Sequence, residues 1–282
     1  MRIFYGTSAK KIDVTQICLD RMKEGVITIP ARDSMRAKLF SDPLPGVPKF
    51  IFVERDGLET VHGPTREVID KLATIHNTLT LKYGRFAQEL SEQKMTIRYL
   101  TGNEKVLEIG GNIGRNSLVI ASILNNSANL VTLESDPNIA LKLIENRDAN
   151  HLAFHVEPSA LSARRLIQRR WDTMPSDVLL KGYAWVNTIT WPALNAKYNI
   201  HFDTLVLDCE GAFYYILMDS PEILTNINLI IMENDYTDLS HKTHVDDVLL
   251  AYGFYRDYVE AGGWGVCQDR FFEVWKKNAP TP

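Results

Sequence analysis

Apolar positions along the chain change texture near residue 60 and again near residue 100. In the first stretch, short runs (Ile3-Phe4-Tyr5, Val26-Ile27-Thr28-Ile29, Phe50-Ile51-Phe52-Val53) alternate with turn formers such as Asp42-Pro43-Leu44-Pro45-Gly46 and Asp56-Gly57. One helix, roughly Val14 to Lys23, is expected among them, which predicts a small β-rich module over 1–60. From Pro64 to Leu100, Val68, Ile69, Leu72, Ile75, Leu79, Phe86, Leu90 and Ile97 recur mostly at helical spacing, with Gly84 dividing two helices. Beyond residue 100, compact apolar runs alternate with helical stretches: Val106 to Ile109, Leu130 to Glu134, Leu152 to Val156, Thr204 to Asp208 and Leu229 to Glu233. Such alternation implies a parallel sheet covered on both faces. Two last runs, Phe254 to Val259 and Arg270 to Trp275, have no helix between them and should pair antiparallel at an edge.

The expected fold is therefore α/β, with a doubly wound, mostly parallel seven-stranded sheet and the N-terminal module. The larger unit, 61–282, divides into leading helices over 61–100 and a Rossmann-like core over 101–282. Composition agrees: 282 residues, 45% hydrophobic and 23% charged, suffice to bury a large core and exclude a disordered or fibrous chain. Lys+Arg 31 against Asp+Glu 35 gives a net charge of -4, so nucleic acid is not an expected partner. Cys18, Cys209 and Cys267 are widely spaced and apolar in context, which suits reduced thiols in the cytoplasm and excludes zinc spacing. No run reaches the roughly 18 apolar residues of a membrane span, so no membrane is expected either.

The richest local signal is Val106-Leu107-Glu108-Ile109-Gly110-Gly111-Asn112-Ile113-Gly114, an apolar strand entering a glycine turn with a helix starting near Asn116. Glycines and the free N–H groups of the helix start form a nucleotide cradle. Asn112 breaks the dinucleotide fingerprint, and the Gly-Lys-Ser/Thr of a phosphate loop is missing. Glu108, placed within the turn, would repel a pyrophosphate and suit a cationic ligand. S-Adenosyl-L-methionine fits, and Glu134 at the next strand end is positioned to accept both ribose hydroxyls.

With these residues in place the chain resembles a class I adenosyl-methionine-dependent methyltransferase of the FkbM type over about 100–260. The motifs are Val106 to Gly114, Leu133-Glu-Ser-Asp-Pro137, Ala160-Leu-Ser162, Val186-Asn-Thr-Ile-Thr190 and Asp203-Thr-Leu-Val-Leu-Asp-Cys-Glu-Gly-Ala212. The resemblance implies that Glu108, Gly110, Gly111, Asn112, Gly114, Glu134, Ser135, Ser159, Ala160 and Asp208 bind the cofactor. It departs from the family at Phe213, where an acidic residue is usual, and at Trp191-Pro192, where Leu-Asp is usual.

Two strand ends are acidic, Asp208-Cys209-Glu210-Gly211 and Glu233-Asn234-Asp235. Ligands of doubly wound sheets bind beyond such ends, so Asp208 is the first candidate for the catalytic base, with Glu210 and Glu233 as alternates. His201, His241 and His244 are further candidates. Asp208, Glu233 and Asn234 or Asp235 offer oxygen ligands for Mg2+, although helix capping is an alternative use of Glu210 and Asp235. Trp185, Trp191, Tyr214, Tyr215 and Trp264 are expected near the mouth, and Arg164, Arg165, Arg169 and Arg170 on a helix. The expected activity is O-methylation of a small-molecule or glycan acceptor. RNA or protein methylation, and a non-catalytic glycan- or partner-binding module, are the alternatives. Residues 1 to 60 should dock on the mouth or on a second subunit of a homodimer.

Overall fold

A computed structural model describes residues 1–7, 10–22, 27, 29–30, 33–46, 49–55, 58–62 and 66–277. Expectations touching Lys23, Val26, Thr28, Val47, Pro48, Asp56, Gly57 and Pro64 lie outside the described residues. The chain opens with β1 (Arg2–Gly6), β2 (Lys11–Asp13), α1 (Thr15–Asp20), α2 (Asp33–Phe40), β3 (Phe50–Arg55) and β4 (Leu58–His62). These strands pair antiparallel in the order β2-β1-β3-β4. Ile3, Tyr5, Val14, Cys18, Phe40 and Ile51 form a core of their own beneath the sheet. The helix α1 ends at Asp20, and α2 has no counterpart in the apolar pattern because its amphipathicity is slight.

Two helices follow, α3 (Arg66–Thr78) and α4 (Leu90–Tyr99), separated around Gly84 as the spacing implies. Gln93, fully buried on α4, holds the connection: its Nε2 donates to the carbonyls of Phe86 (3.2 Å) and Gln88 (2.8 Å) and its Oε1 meets His76 Nε2 at 2.7 Å. Asn146 fastens the same connection to the core, accepting from the backbone N–H groups of Lys82 (2.8 Å) and Tyr83 (3.1 Å) and donating to the Ile113 carbonyl (2.8 Å). A buried amide used this fully fixes α4 against the glycine turn.

The core continues with β5 (Val106–Ile109), α5 (Arg115–Ile123), β6 (Leu130–Leu133), α6 (Pro137–Asp148), β7 (His155–Glu157) and β8 (Ala160–Leu161). Next come β9 (Leu166–Arg169), β10 (Asp172–Pro175), β11 (Ala184–Val186), β12 (Thr188–Ile189) and α7 (Trp191–Tyr198). The chain closes with β13 (Thr204–Leu207), α8 (Phe213–Asp219), β14 (Leu229–Glu233), α9 (Leu239–Ala251), β15 (Phe254–Glu260) and β16 (Phe272–Lys277). The main sheet has the order β15-β16-β14-β13-β5-β6-β7. Its β5, β6, β7, β13 and β14 are parallel, and β16 is antiparallel to both β14 and β15. This is the expected doubly wound, mostly parallel seven-stranded arrangement. Alternate residues of its apolar strands enter opposite cores, Leu107, Leu205 and Ile230 on one face and Val106, Val206 and Ile231 on the other. Asp136 caps α6 by accepting from Asn138 and Ile139 N–H, with Pro137 at the first helical position.

Three local expectations differ from the structure. The third strand starts at His155 because the Leu152 N–H donates to Arg147 O and the Ala153 N–H to Ser127 Oγ, which withdraws both from a ladder. A short 3-10 helix, Gly265–Arg270, lies between β15 and β16. The arginine cluster is not helical: β10-β9-β11 form a separate three-stranded antiparallel arm, and Arg170 at φ 57° makes the tight turn between β9 and β10. Its arginines disperse, Arg164 to Asp219 (2.7 Å), Arg165 over the Trp185 ring (4.0 Å) and Arg169 over Tyr183 (4.7 Å). The arm is an insertion between β8 and β12, which pair with each other in parallel.

A β-bridge from Pro30 to Ala261 joins the N-terminal module to the core. Ala261 follows Glu260, which is level with Glu233 through their shared partner Phe272, so the module meets the core at the carboxyl end of the sheet.

The glycine turn gives a stability prediction. Gly110 has φ 93°, and a Cβ there would lie 1.6 Å from the Asp208 carbonyl oxygen. Gly253 has φ 82° with nothing within 4 Å. Gly253→Ala should cost about 1 to 2 kcal/mol from backbone strain alone. Gly110→Ala should lower the denaturant midpoint far more, because two backbone segments must separate.

Candidate functional site

The strands β5, β6, β13 and β14 end level, since Ile109 pairs with both Leu133 and Leu207, and Leu207 with Met232. Beyond them lie two adjoining cavities that share Gly110 and Asp208 as walls. The outer one is an open cleft. It gathers Gly110, Asn112, Glu134, Ser135, Ser159, Ala160 and Asp208, as the sequence predicts, together with Glu210.

Glu134 is held for its task. Asn112 N–H donates to its Oε2 and Asp136 N–H to its Oε1, each at 2.8 Å, while the N–H groups of Gly110 and Gly111 close on Leu133 O. Burial raises its pKa, and the two N–H donors partly offset that. Across the cleft the Ser159 hydroxyl donates to Glu157 (2.9 Å), which also takes Lys197 Nζ (2.6 Å) and Tyr198 OH (2.8 Å). Burial would raise the Glu157 carboxyl, but these three donors hold it below its ordinary value.

Gly111, Gly114 and Glu108 do not line the outer cleft. A Cβ on Gly111 would meet Thr132 Oγ1 at 2.3 Å and one on Gly114 would meet Leu143 at 3.1 Å, so both glycines let the turn sit close against the sheet and α6. Glu108 sits inside strand β5, fully buried, accepting the Ser117 hydroxyl, and not in the turn. With Gly111 it lines the small inner cavity, beside Glu89, Glu92, Met95, Asp208 and Glu233.

That inner cavity is acidic. Carboxylate oxygens of Asp208, Glu233 and Asp235 lie within 4.8 Å of one another. Glu92, reaching in from α4, brings a further carboxyl close to Glu233. Glu92 Oε2 and Asp235 Oδ1 are buried without a hydrogen-bond partner. The nearby cation Arg115 is engaged by Glu89. Burial and then the surrounding charges of Glu92 and Glu89 push Asp208 well above the usual carboxylate range. Burial and the close approach of the Glu92 carboxyl raise Glu233 as well. Burial takes Asp235 to about 6 and Glu108 to about 7. At the cleft rim, loss of surrounding water and then the Asp235 charge raise Glu210 to about 7. A shared proton or a hard cation is what such a set can hold. Of the proposed metal ligands, Asn234 commits its Nδ2 to the Arg270 carbonyl (2.7 Å) and keeps its Oδ1 buried without a hydrogen-bond partner, and Asp235 is the acid gathered with Asp208 and Glu233.

Other expected participants stand apart. Trp185, Trp191, Tyr214, Tyr215 and Trp264 line neither cavity, nor do His201, His241 and His244. His241 stacks on Tyr214 with centroids 3.8 Å apart, and Trp191 packs on Phe202. The cleft instead draws Gln168, Trp171 and Thr173 from the arm. Those residues, and Glu89, Glu92 and Glu157, escape the sequence reading. The one local signal was Glu92-Gln93, two polar residues on the buried side of an otherwise ordinary amphipathic helix.

No family model matches the sequence, and no curated protein matches it. Among solved structures the chain is similar to a methyltransferase from Pyrococcus furiosus, at 13% identity over 76% of this chain and 98% of that one, with a TM-score of 0.43. It is similar to a ribosomal protein L11 methylase from Lactobacillus delbrueckii subsp. bulgaricus, at 12% identity over 70% and 82%, TM-score 0.43. An O-methyltransferase from Bacillus cereus in complex with SAH is similar at 13% identity over 76% and 92%, TM-score 0.41.

The raised carboxyls make stability pH-dependent. A group whose pKa is higher folded than unfolded binds more protons in the folded state between the two values, so stability falls as pH rises through that window. For Glu108 the window runs from 4.5 to about 7, and the loss above it is about 3 kcal/mol. The melting temperature should be higher near pH 5.5 than near pH 8, and Glu108→Gln should raise the value at pH 8 and flatten the slope. A scan of melting temperature against pH for both proteins checks this.

Proposed function

We propose that the protein is an S-adenosyl-L-methionine-dependent methyltransferase acting on a hydroxyl, with a sugar or glycan hydroxyl as the acceptor class. The observation that carries the reading is the charge of the cleft. Glu134, Asp208 and Glu210 line it, with no Lys or Arg among its described walls. A pyrophosphate would be repelled there, whereas a sulfonium and an ammonium find compensating charge. The FkbM-type motifs support a hydroxyl acceptor.

Bound cofactor supplies an electrophilic methyl group. Glu134, immobilised by Asn112 and Asp136, accepts the two ribose hydroxyls. Asp208 stands where the two cavities meet and takes or orients the acceptor proton. Glu233 and Glu92 stand close together in the same chamber, and two neighbouring carboxyls coexist there by retaining a proton between them. Asp208, Glu233 and Asp235 also fit Mg2+, as an all-oxygen set with the unpartnered Asp235 oxygen among them, and that ion would lower the pKa of an acceptor hydroxyl. The N-terminal module, joined at the level of Glu233, borders the acceptor side.

Calorimetric titration with S-adenosyl-L-methionine tests the cofactor, and the labelled cofactor with a panel of sugars, glycans and RNAs tests the acceptor. Glu134→Ala should weaken cofactor binding about tenfold to a hundredfold, the effect of losing a charged hydrogen-bond partner. Asp208→Asn should keep cofactor affinity and lower turnover by about 10²-fold or more. Chelation followed by added Mg2+ separates the two roles of Asp208: activity lost and restored makes it a metal ligand, and unchanged activity leaves it the base.

A further inference from the structure

We propose that Trp171 is the adenine platform of the outer cleft, its indole stacking on the base of the bound nucleoside. The inference rests on the adenosyl reading above and adds to it the residue that recognises the base. Trp171 occupies the tip of the arm and lines the cleft, yet 60% of it is exposed. Large aromatic rings normally bury most of their surface, and three other tryptophans have partners, Trp185 under Arg165, Trp191 against Phe202 and Trp275 under Arg256, while Trp264, 54% exposed, lines neither cavity. Among the described residues no ring or cation lies on Trp171.

The arm holds the indole in place. Arg169 pairs with Asp172 across the hairpin, and Arg170 adopts φ 57°, which leaves Trp171 at the turn. Beneath it, Leu166, Gln168 and Thr173 form a wall of the same cleft. The Gln168 Nε2 donates to Ser135 Oγ at 2.9 Å, tying the arm to the residue beside Glu134. The ribose acceptor and the indole are thereby fixed relative to each other. Leu161 and Ile216 add apolar wall to the same cleft, so a flat base entering it would bury apolar surface there as well as on the indole. Stacking of this kind recognises a π-face and is lost with the ring.

The experiment compares two ligands on three proteins. S-Adenosyl-homocysteine and S-ribosyl-homocysteine share the sulfur, the ribose and the amino acid, and only the first has a base. Against the parent, Trp171→Ala should bind S-adenosyl-homocysteine about tenfold or more weakly and S-ribosyl-homocysteine unchanged, and Trp171→Phe should recover most of the loss. Intrinsic fluorescence should quench on S-adenosyl-homocysteine binding in the parent and not in Trp171→Phe. Equal affinity of the parent and Trp171→Ala for S-adenosyl-homocysteine overturns the stacking role and leaves the adenosyl reading standing. Equal weakening of both ligands assigns Trp171 to holding the arm, and also overturns it. A folded parent that binds neither ligand ends the adenosyl reading, and this inference with it.

Discussion

The backbone of Gly110 lies against the carbonyl of Asp208 with no room for a side chain between them. That contact lets the ends of β5 and β13 close on each other, and both residues then wall both cavities. One strand end supplies a turn whose N–H groups fold back on Leu133, and the other supplies a carboxyl at the junction. Any side chain at Gly110 would force the segments apart and separate the cleft from the acidic chamber. The turn is thus chiefly a packing device, and ligand access follows from it.

Electrostatics divide the two cavities by task. In the cleft, Glu134 is an ionisable group held by two backbone N–H donors. In the chamber, Asp208, Glu233, Asp235 and Glu92 crowd together with oxygens left unpartnered, an arrangement unfavourable without a proton or cation among them. The folded chain tolerates it because the surrounding sheet and α4 are pinned by apolar burial and by the Gln93 and Asn146 networks. Stability is held in the core while the strain of like charges is concentrated at the strand ends.

Two additions frame that shared end of the sheet. The arm, inserted between paired strands β8 and β12, walls the outer cleft. The N-terminal module touches the opposite edge through the bridge from Pro30 to Ala261. Neither is needed to complete the seven-stranded sheet. Among the described residues no helix is long and apolar enough to cross a membrane.

What the sequence determined by itself was whatever depends on near neighbours. Val106 to Ile109 and Thr204 to Leu207 announce buried parallel strands because every side chain but Glu108 is apolar or small enough for two covered faces. Glu134 and Asp208 were legible because a strand end is a local event with a known place in a doubly wound sheet. Tertiary structure alone decided the rest. The arginine-rich segment became an arm because Arg170 turns left-handed and distant partners, Asp219 and Ser135, take up its polar groups. Glu108 left the turn for the strand interior, and Glu92 joined Glu233 from a helix more than a hundred residues earlier in the chain. Such meetings leave no periodic trace, because hydrophobic spacing records which face of an element is buried and says nothing about which remote side chain will share that burial.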